Sequence, residues 1–508
     1  PTYTCNLAGD VRHIAVRALA LRDTTADGSV RLNGKVSFTP ATPPARRRPG
    51  KPMNVAADLS VPSLTWNIPG EKISATDIGL RINAADSATS ASLDNHDLRL
   101  TMDAPVPLDT LLARLTLASA RLNADIERRR LSVDTLQRSL PPFRLNLSAG
   151  KDNVVQSFLA GRDMSFQSLT LSLSNDSIIK GQGLLRQLKS GKTLVDTIGF
   201  GLLQRGDYLL YGINMDNRPG VMDQFAHVNA RGYISQDHLS LLFRQQDIKG
   251  ETGYSLGLQA SVSPADLLTV RFVPYHPVIG YKDWEINKDN MVSVNLRTMH
   301  VDANVNLFND RSSLKLFTSH VEGDSTQEDL MLQLKDVLLQ DWLAINPFMP
   351  AITGSLSADM KVRYNKPDIN GSGTVTLSDF TYGKERVGDF ALDLDVQTNP
   401  AGTVRASTTL LVNGVKTITA VGNLNDSTAA NPFMLDFRMI HFPLEVANPF
   451  LPKGTAKLHG TLNGEMDVTG EMSSPVFNGF LDFDSTTVDI TMLGTPLKFS
   501  EEKIPVDS

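Results

Sequence analysis

From Thr455 to Gly470 the chain changes character at every residue. Thr455, Lys457, His459, Thr461, Asn463, Glu465, Asp467 and Thr469 are polar, and between them stand Ala456, Leu458, Gly460, Leu462, Gly464, Met466, Val468 and Gly470. A two-residue period places the two sets on opposite faces of a β-strand, because successive side chains point to opposite sides. Gly354 to Tyr364 alternates in the same way, with Gly354, Leu356, Ala358, Met360, Val362 and Tyr364 against Ser355, Ser357, Asp359, Lys361 and Arg363. The pattern predicts an all-β chain built around one long sheet with a single apolar face.

Turn signals agree. Asn413-Gly414 between Thr408–Val412 and Val415–Val421 is a hairpin signature, and Asn33-Gly34 between Val30–Leu32 and Lys35–Ser37 reads as a second one. Ser168 to Leu173 and Leu202 to Tyr211 read as further strands. Helical patterns are short: Leu108 to Leu117, Lys151 to Leu159, Arg218 to Phe225 and Pro443 to Phe450 each span about two or three turns, too little to shield a sheet face. The stretch Pro40 to Pro52, rich in proline and arginine, reads as a solvated loop or linker.

An internal repeat adds an axis. Asn346-Pro347-Phe348-Met349-Pro350 returns as Asn448-Pro449-Phe450-Leu451-Pro452. After each copy Gly354, Leu356, Met360 and Val362 correspond to Gly460, Leu462, Met466 and Val468, then come a proline turn at Pro367 or Pro475 and a strand through Gly373 or Gly479. The predicted unit is a short apolar helix, a proline stop and a long hairpin. Duplicating it lengthens a sheet and builds no new active site.

Composition excludes several function classes. The net charge of −6 gives no field that favours nucleic acid. The single cysteine, Cys5, forms no internal disulfide. His13, His96, His227, His238, His276, His300, His320, His441 and His459 show no close ligand spacing, so neither a metal nor any other cofactor is expected. Gly191-Lys192-Thr193 imitates the end of a phosphate loop, but its first glycine position holds Arg186. Arg128-Arg129-Arg130 reads as a solvated face, and no nucleophile motif is present, so the chain is not expected to be an enzyme. A site made by carboxylates that only folding brings together leaves no trace in spacing. No run of apolar residues is long enough for a transmembrane helix. An opening at Pro1 and a stop at Ser508 in a strand-like stretch are expected of an internal piece of a longer protein.

The closing region carries a Gly-x-Leu-x-Gly strand at Gly460–Gly464, a turn proline at Pro475 and a glycine-aromatic strand at Gly479–Phe483. In this order and spacing it resembles the C-terminal domain of the TamB family, the translocation and assembly module proteins. Trp284–Asn290 and Phe225–Val228 are similar to the same family. The resemblance covers about Leu145 to Ser508, and the first 140 residues share only the general pattern of the wider AsmA-like superfamily. What the resemblance implies is a periplasmic protein tethered to the inner membrane by an N-terminal helix outside this chain. It also implies an elongated, twisted, U-shaped sheet (a β-taco) with an apolar trough, a role in phospholipid movement and outer-membrane protein assembly, and an outer-membrane barrel of the TamA type as partner. The corresponding division is an AsmA-like segment over 1–140, a central segment over 141–340 and the start of a TamB-type C-terminal domain over 341–508.

An apolar face must be covered. Helices are few here and aromatics are only 6% of residues, so a thick protein core is hard to fill. Acyl chains are the alternative cover, at about 0.8 kcal/mol per methylene buried. Some thirty strands spaced about 4.8 Å apart would run roughly 140 Å, the reach of a bridge across an aqueous gap. Leu356, Met360, Val362, Leu458, Leu462, Met466 and Val468 are the expected groove residues. Three competing readings remain: the core of a β-sandwich, a scaffold offering sheet edges to outer-membrane proteins by β-augmentation, and a secreted β-solenoid, whose repeats of roughly 20 to 30 residues would be shorter.

Overall fold

The computed structural model describes residues 2–12, 27–43, 50–68, 71–321, 324–343, 350–365, 368–399, 402–425, 433–452, 454–471, 474–492, 494–499 and 503–507. The chain is all-β: its strands belong to one antiparallel sheet of 32 strands that does not close into a barrel, with a few helices. It divides into two compact units, Pro1–Thr252 with Gln259–Val262, and Gly253–Leu258 with Ser263–Ser508. The expected boundary at 140/141 falls inside the first unit, and that at 340/341 inside the helix Leu339–Trp342 of the second.

In the first unit successive strands pair antiparallel, except that the short strand Met164–Ser165 stands outside the order and pairs with Ile179–Ser190. The ladder opens with Tyr3–Arg12, Asp27–Thr39, Asn54–Ile68, Glu71–Ala84, Thr89–Asn95 and Leu98–Ala104. The ladder continues through Arg144–Ala149, Ser168–Asn175, Ile179–Ser190, Thr193–Arg205, Tyr208–Asp216, His227–Ser235 and His238–Gln246. Two expectations are corrected here. Asn33-Gly34 is no hairpin turn but the middle of the strand Asp27–Thr39, where Gly34 pairs with both Leu7 and Leu59. A Cβ on Gly34 would lie 2.4 Å from the Asp58 carbonyl oxygen, so the glycine serves close strand approach. Leu202 to Tyr211 is two strands, reversed at Gly206-Asp207 with Arg205 opposite Tyr208. A glycine at φ +58° makes that turn.

In the second unit the ladder runs through Val301–Phe308, Ser313–Val321, Asp324–Leu338, Ile352–Asn365, Asp368–Tyr382, Glu385–Thr398, Val404–Val412, Val415–Asn425, Phe433–Pro443, Ala456–Glu471 and Ser474–Ile490. Asn413-Gly414 is a two-residue turn, with φ of +51° and +78° and Val412 opposite Val415. Positive φ at both positions matches the twist of the flanking strands.

The repeat survives to the level of single hydrogen bonds. Met360 pairs with Gly373 as Met466 pairs with Gly479, and Leu356 with Leu377 as Leu462 with Phe483. Each copy interrupts its register with bulges carrying left-handed residues at equivalent places: Asp336 and His441, Gly354 and Gly460, Asp379 and Ser485. The Asp336 amide donates to Ser357 Oγ at 3.0 Å, and its counterpart at His441 donates to Asn463 Oδ1 at 2.7 Å. The Gly354 amide donates to Gln340 Oε1 at 3.2 Å, and the Gly460 amide to Glu445 Oε1 at 3.0 Å. Bulges bend a strand and raise its local twist, and these side chains satisfy the amides that a bulge leaves unpaired. Pro475 pairs with Gly470 at the start of its strand, one step past the turn expected for it, where a missing N–H costs little. Pro367 and Asn346–Met349 lie outside the described residues, as do 44–49 of the proline-arginine loop.

The helices differ in length from the sequence pattern. Leu108–Glu127 is a 20-residue helix, because Ala118, Ala120, Leu122 and Ala124 extend it beyond the expected end at Leu117. Ser132 caps a second helix, Val133–Ser139. Asn153 caps Val154–Ala160, accepting from the amides of Val155 and Gln156 at 3.0 and 3.1 Å. The pattern at Arg218–Phe225 shrinks to one 3-10 turn, Asp223–Phe225, while Leu444–Phe450 is a 3-10 helix.

Candidate functional site

Directly paired residues of an antiparallel ladder point to the same face, so register converts strand alternation into rows that cross the sheet. In the second unit one row runs Leu332, Met360, Gly373, Leu394, Thr408, Ala420, Phe437, Met466, Gly479. The row beside it runs Leu330, Val362, Gly371, Val396, Ala406, Gly422, Leu435, Val468, Phe477. On the other side Ala358, Val375, Leu392, Leu410, Ile418, Met439, Gly464 and Leu481 make a third. None of these residues ionises. The row between the first and third, on the opposite face, is Asp359, Thr374, Asp393, Thr409, Thr419, Arg438 and Glu465.

The seven groove residues read from the sequence are placed accordingly. Met360 and Met466 share one row, and Val362 and Val468 the next. Leu356 (paired with Val337 and Leu377) and Leu462 (paired with Phe442 and Phe483) sit at equivalent places beside the bulges. Leu458 lies beyond Gly460 and pairs with Val488, and its backbone is held on the other side by Asn448, whose side chain accepts from the Leu458 amide at 2.7 Å and donates to its carbonyl at 2.8 Å. That bracket gives the repeated Asn-Pro-Phe motif a local purpose in its second copy.

Cover over the face is uneven. Close to the bulges, Leu444 and Val446 of the 3-10 helix are buried; Val446 clusters with Val387 and Val412, and Phe390, Leu410 and Phe442 pack against that cluster. Trp284, 1% exposed, packs with Ile279, Ile286, Val305 and Leu307 and meets Trp342 edge-to-face at 5.8 Å. Away from these helices the large side chains of the rows stay half-buried: Met360, Leu394, Phe437 and Met466 are all partly buried and Val362 is 38% exposed, while the small residues Ala358, Ala420 and Gly464 are buried. Core residues under a second packed layer are normally almost fully buried. Val468, at 8%, approaches that state.

The first unit carries the same construction, which sequence reading missed because rows are set by the register between strands and not by any one strand. One row passes through Leu7, Gly34, Leu59, Leu80, Leu93, Leu100, Leu147, Leu171, Gly183, Phe200, Ile213, Ala230 and Phe243. Between it and the next apolar row, on the other face, lie Asn6, Lys35, Asp58, Arg81, Ser92, Thr101, Asn146, Ser172 and Gln182. Phe200 and Ile213 are 38% and 52% exposed. Tyr211, on the apolar side, donates its hydroxyl to the Ser240 carbonyl at 2.7 Å, and burial pushes its phenol above the usual range. Leu98, Ala149 and Phe166 form a small core under Val154, Val155 and Leu159 of the short helix.

Ionised groups gather on the polar face and at strand ends. Asp329 and Arg363 pair through two contacts at 2.7 and 3.0 Å. Asp389 accepts from the Asp379 bulge amide at 2.6 Å and pairs with Arg386 at 2.8 Å; the amide first, then the guanidinium, hold its carboxyl below the usual range. Among the described residues no group of three or more His, Cys, Asp or Glu is placed to hold a metal, and no helix is long and apolar enough to cross a membrane. No protein-family model, curated protein or solved structure matches the chain. The arrangement offers dispersion and apolar burial along rows, with a hydrogen-bonding surface behind them.

Proposed function

We propose that this sheet is a phospholipid conduit of the TamB type, holding acyl chains along its apolar face while headgroups remain in water. The observation that carries this reading is the row structure: three adjacent rows in the second unit contain no ionisable side chain over eight strands, and apart from Ala358, Ala420, Gly464 and Val468 their residues are only partly buried. Equivalent positions repeated every strand, about 4.8 Å apart, give a chain many sites of similar affinity, which permits sliding where one deep pocket would trap. A periplasmic setting, an inner-membrane tether, delivery towards the outer membrane and a barrel partner belong to the same proposal and rest on the family resemblance.

The test is photocrosslinking in cells of the proposed type of host, a Gram-negative bacterium. A photoreactive residue at Met360 or Met466 captures phospholipid, and one at Glu465 or Asp467 on the polar face does not. Equal capture at all four, or none at the methionines, removes the reading. If proline substitutions in the first strand, Tyr3–Arg12, abolish function while charges in the rows do not, the β-augmentation scaffold replaces it.

A further inference from the structure

The helix Leu108–Glu127 lies along one rim of the first unit's sheet. Its start follows the strand Leu98–Ala104, where Thr89 Oγ1 donates to the Val106 carbonyl at 2.9 Å. Just past its end Leu131 bonds through its amide to the Gln236 carbonyl at 2.7 Å, in the turn that closes the strand His227–Ser235. Six strand spacings separate those two strands in the ladder, about 29 Å, and 20 helical residues span about 30 Å. The helix therefore crosses the strand ends side by side with the apolar rows.

Its own apolar arc is wider than its contact with the protein. At about 100° per residue, Ala118, Leu111, Leu122, Leu115, Leu108, Ile126, Ser119 and Leu112 fill a charge-free arc of about 120°. Leu111 and Ala118, at one side of the arc, are buried. Leu112, Leu115 and Ile126, at the other, are 51%, 41% and 64% exposed. Arg114, Arg121 and Arg128 recur at intervals of seven on the far face, and Arg129 and Arg130 follow them. Residues 108–130 thus hold five arginines against Asp109, Asp125 and Glu127, a local excess of cations in a chain whose net charge is −6.

An exposed leucine stripe backed by arginines is the pattern of a helix that lies in a lipid–water interface. We infer that Leu108–Glu127, with Arg128–Arg130, docks this rim on the surface of an anionic phospholipid bilayer. Leu112, Leu115 and Ile126 enter the headgroup boundary, and the arginines reach phosphates and anionic headgroups. Docking and conduction are separable, since docking needs no lipid in the rows.

The experiment is flotation of the whole chain with vesicles of phosphatidylethanolamine and phosphatidylglycerol, against vesicles of phosphatidylcholine alone, at low and high salt. Binding to the anionic vesicles, weakened by salt, is expected. Arg128→Gln with Arg129→Gln and Arg130→Gln lowers affinity about a hundredfold, at about fivefold per arginine. Leu112→Ser with Leu115→Ser, both at exposed positions, lowers it at least tenfold with an unchanged circular dichroism spectrum. Absence of binding to anionic vesicles overturns the inference, as does binding that the serine variant retains in full. Met466→Asp, far from the helix in sequence and in the other unit, floats like the wild type, so loss of conduction and loss of docking are read apart.

Discussion

Replacing Met466 by aspartate places one carboxylate in the middle of an apolar row, between Phe437 and Gly479. Because Met466 is half-exposed, the new charge retains water in the lipid-free protein, and the loss of stability is about 1 kcal/mol, a fall of a few degrees in Tm. A lipid feels more. Crossing one strand spacing lays about four methylenes against the row, and with one side of the chain in contact that contributes about 1.5 kcal/mol. Stripping water from the carboxylate as the chain passes costs a further 2 to 3 kcal/mol or so. A barrier higher by about 4 kcal/mol slows passage of that strand by about a thousandfold, and at least tenfold when the lipid detours along a neighbouring row. The assay is transfer of a fluorescent phospholipid between donor and acceptor vesicles, with far-ultraviolet circular dichroism as the fold control. Asp467→Lys, one residue on and on the opposite face, leaves transfer unchanged. A folded Met466→Asp protein that transfers lipid at the wild-type rate refutes the reasoning.

Three further outcomes follow from the fold. Gly460→Ala loses about 3 kcal/mol in chemical denaturation, because φ is +104° and the added Cβ would sit 2.7 Å from the Ser485 carbonyl; Gly354→Ala, with contacts of 3.1 to 3.3 Å, loses less, and the reverse order would contradict the bulge account. Replacing Asn413-Gly414 by Ala-Ala lowers stability by about 1 to 2 kcal/mol, read by the same titration, since both positions need positive φ. Acid loosens the helix Val154–Ala160. Burial raises the Asp97 carboxyl, but the Asn153 side chain at 2.6 Å and the Asp152 amide at 2.9 Å, with neighbouring amides, together hold it below its ordinary 3.8. A depressed folded value means that its contribution is present above the unfolded value and is lost as pH falls through the folded one. Protection of the Val155–Leu159 amides against hydrogen exchange, corrected for the intrinsic rate at each pH, therefore falls as pH drops below the ordinary carboxyl value of 3.8, and in Asp97→Asn this acid step is absent; an identical profile in both proteins would exclude the role of Asp97.

The face of each long strand was legible because alternation is a local property. Ala456–Glu471 and Ile352–Asn365 sit where their patterns placed them. The repeat was legible as well, though its meaning was not. Sequence shows that Gly354 and Gly460 correspond, but not that Gln340 and Glu445 reach back from two helices to the same glycine amides. Those contacts depend on bulges at Asp336, Asp379, His441 and Ser485, and although such residues tolerate positive φ, the same types fill many regular strand positions here and single out none of the four. Asn33-Gly34 misled for the opposite reason, a strong turn dipeptide that the sheet uses for close packing of neighbouring strands. Rows are a property of register, set between strands and invisible in any one of them. The candidate face was thus found in fragments at Leu356–Val362 and Leu458–Val468, while the corresponding row from Leu7 to Phe243 in the first unit was missed. Helix length was underestimated at Leu108–Glu127 because its apolar stripe thins after Leu117 while alanine and arginine keep the backbone helical.

The most direct measurement is native mass spectrometry of the chain incubated with phospholipid vesicles and then separated from them. Several phospholipids bound per chain, and fewer on a variant carrying Met360→Asp with Met466→Asp, is the result expected of an apolar face left open to acyl chains. A lipid-free mass under conditions that preserve the folded protein, or equal lipid on both proteins, would contradict it.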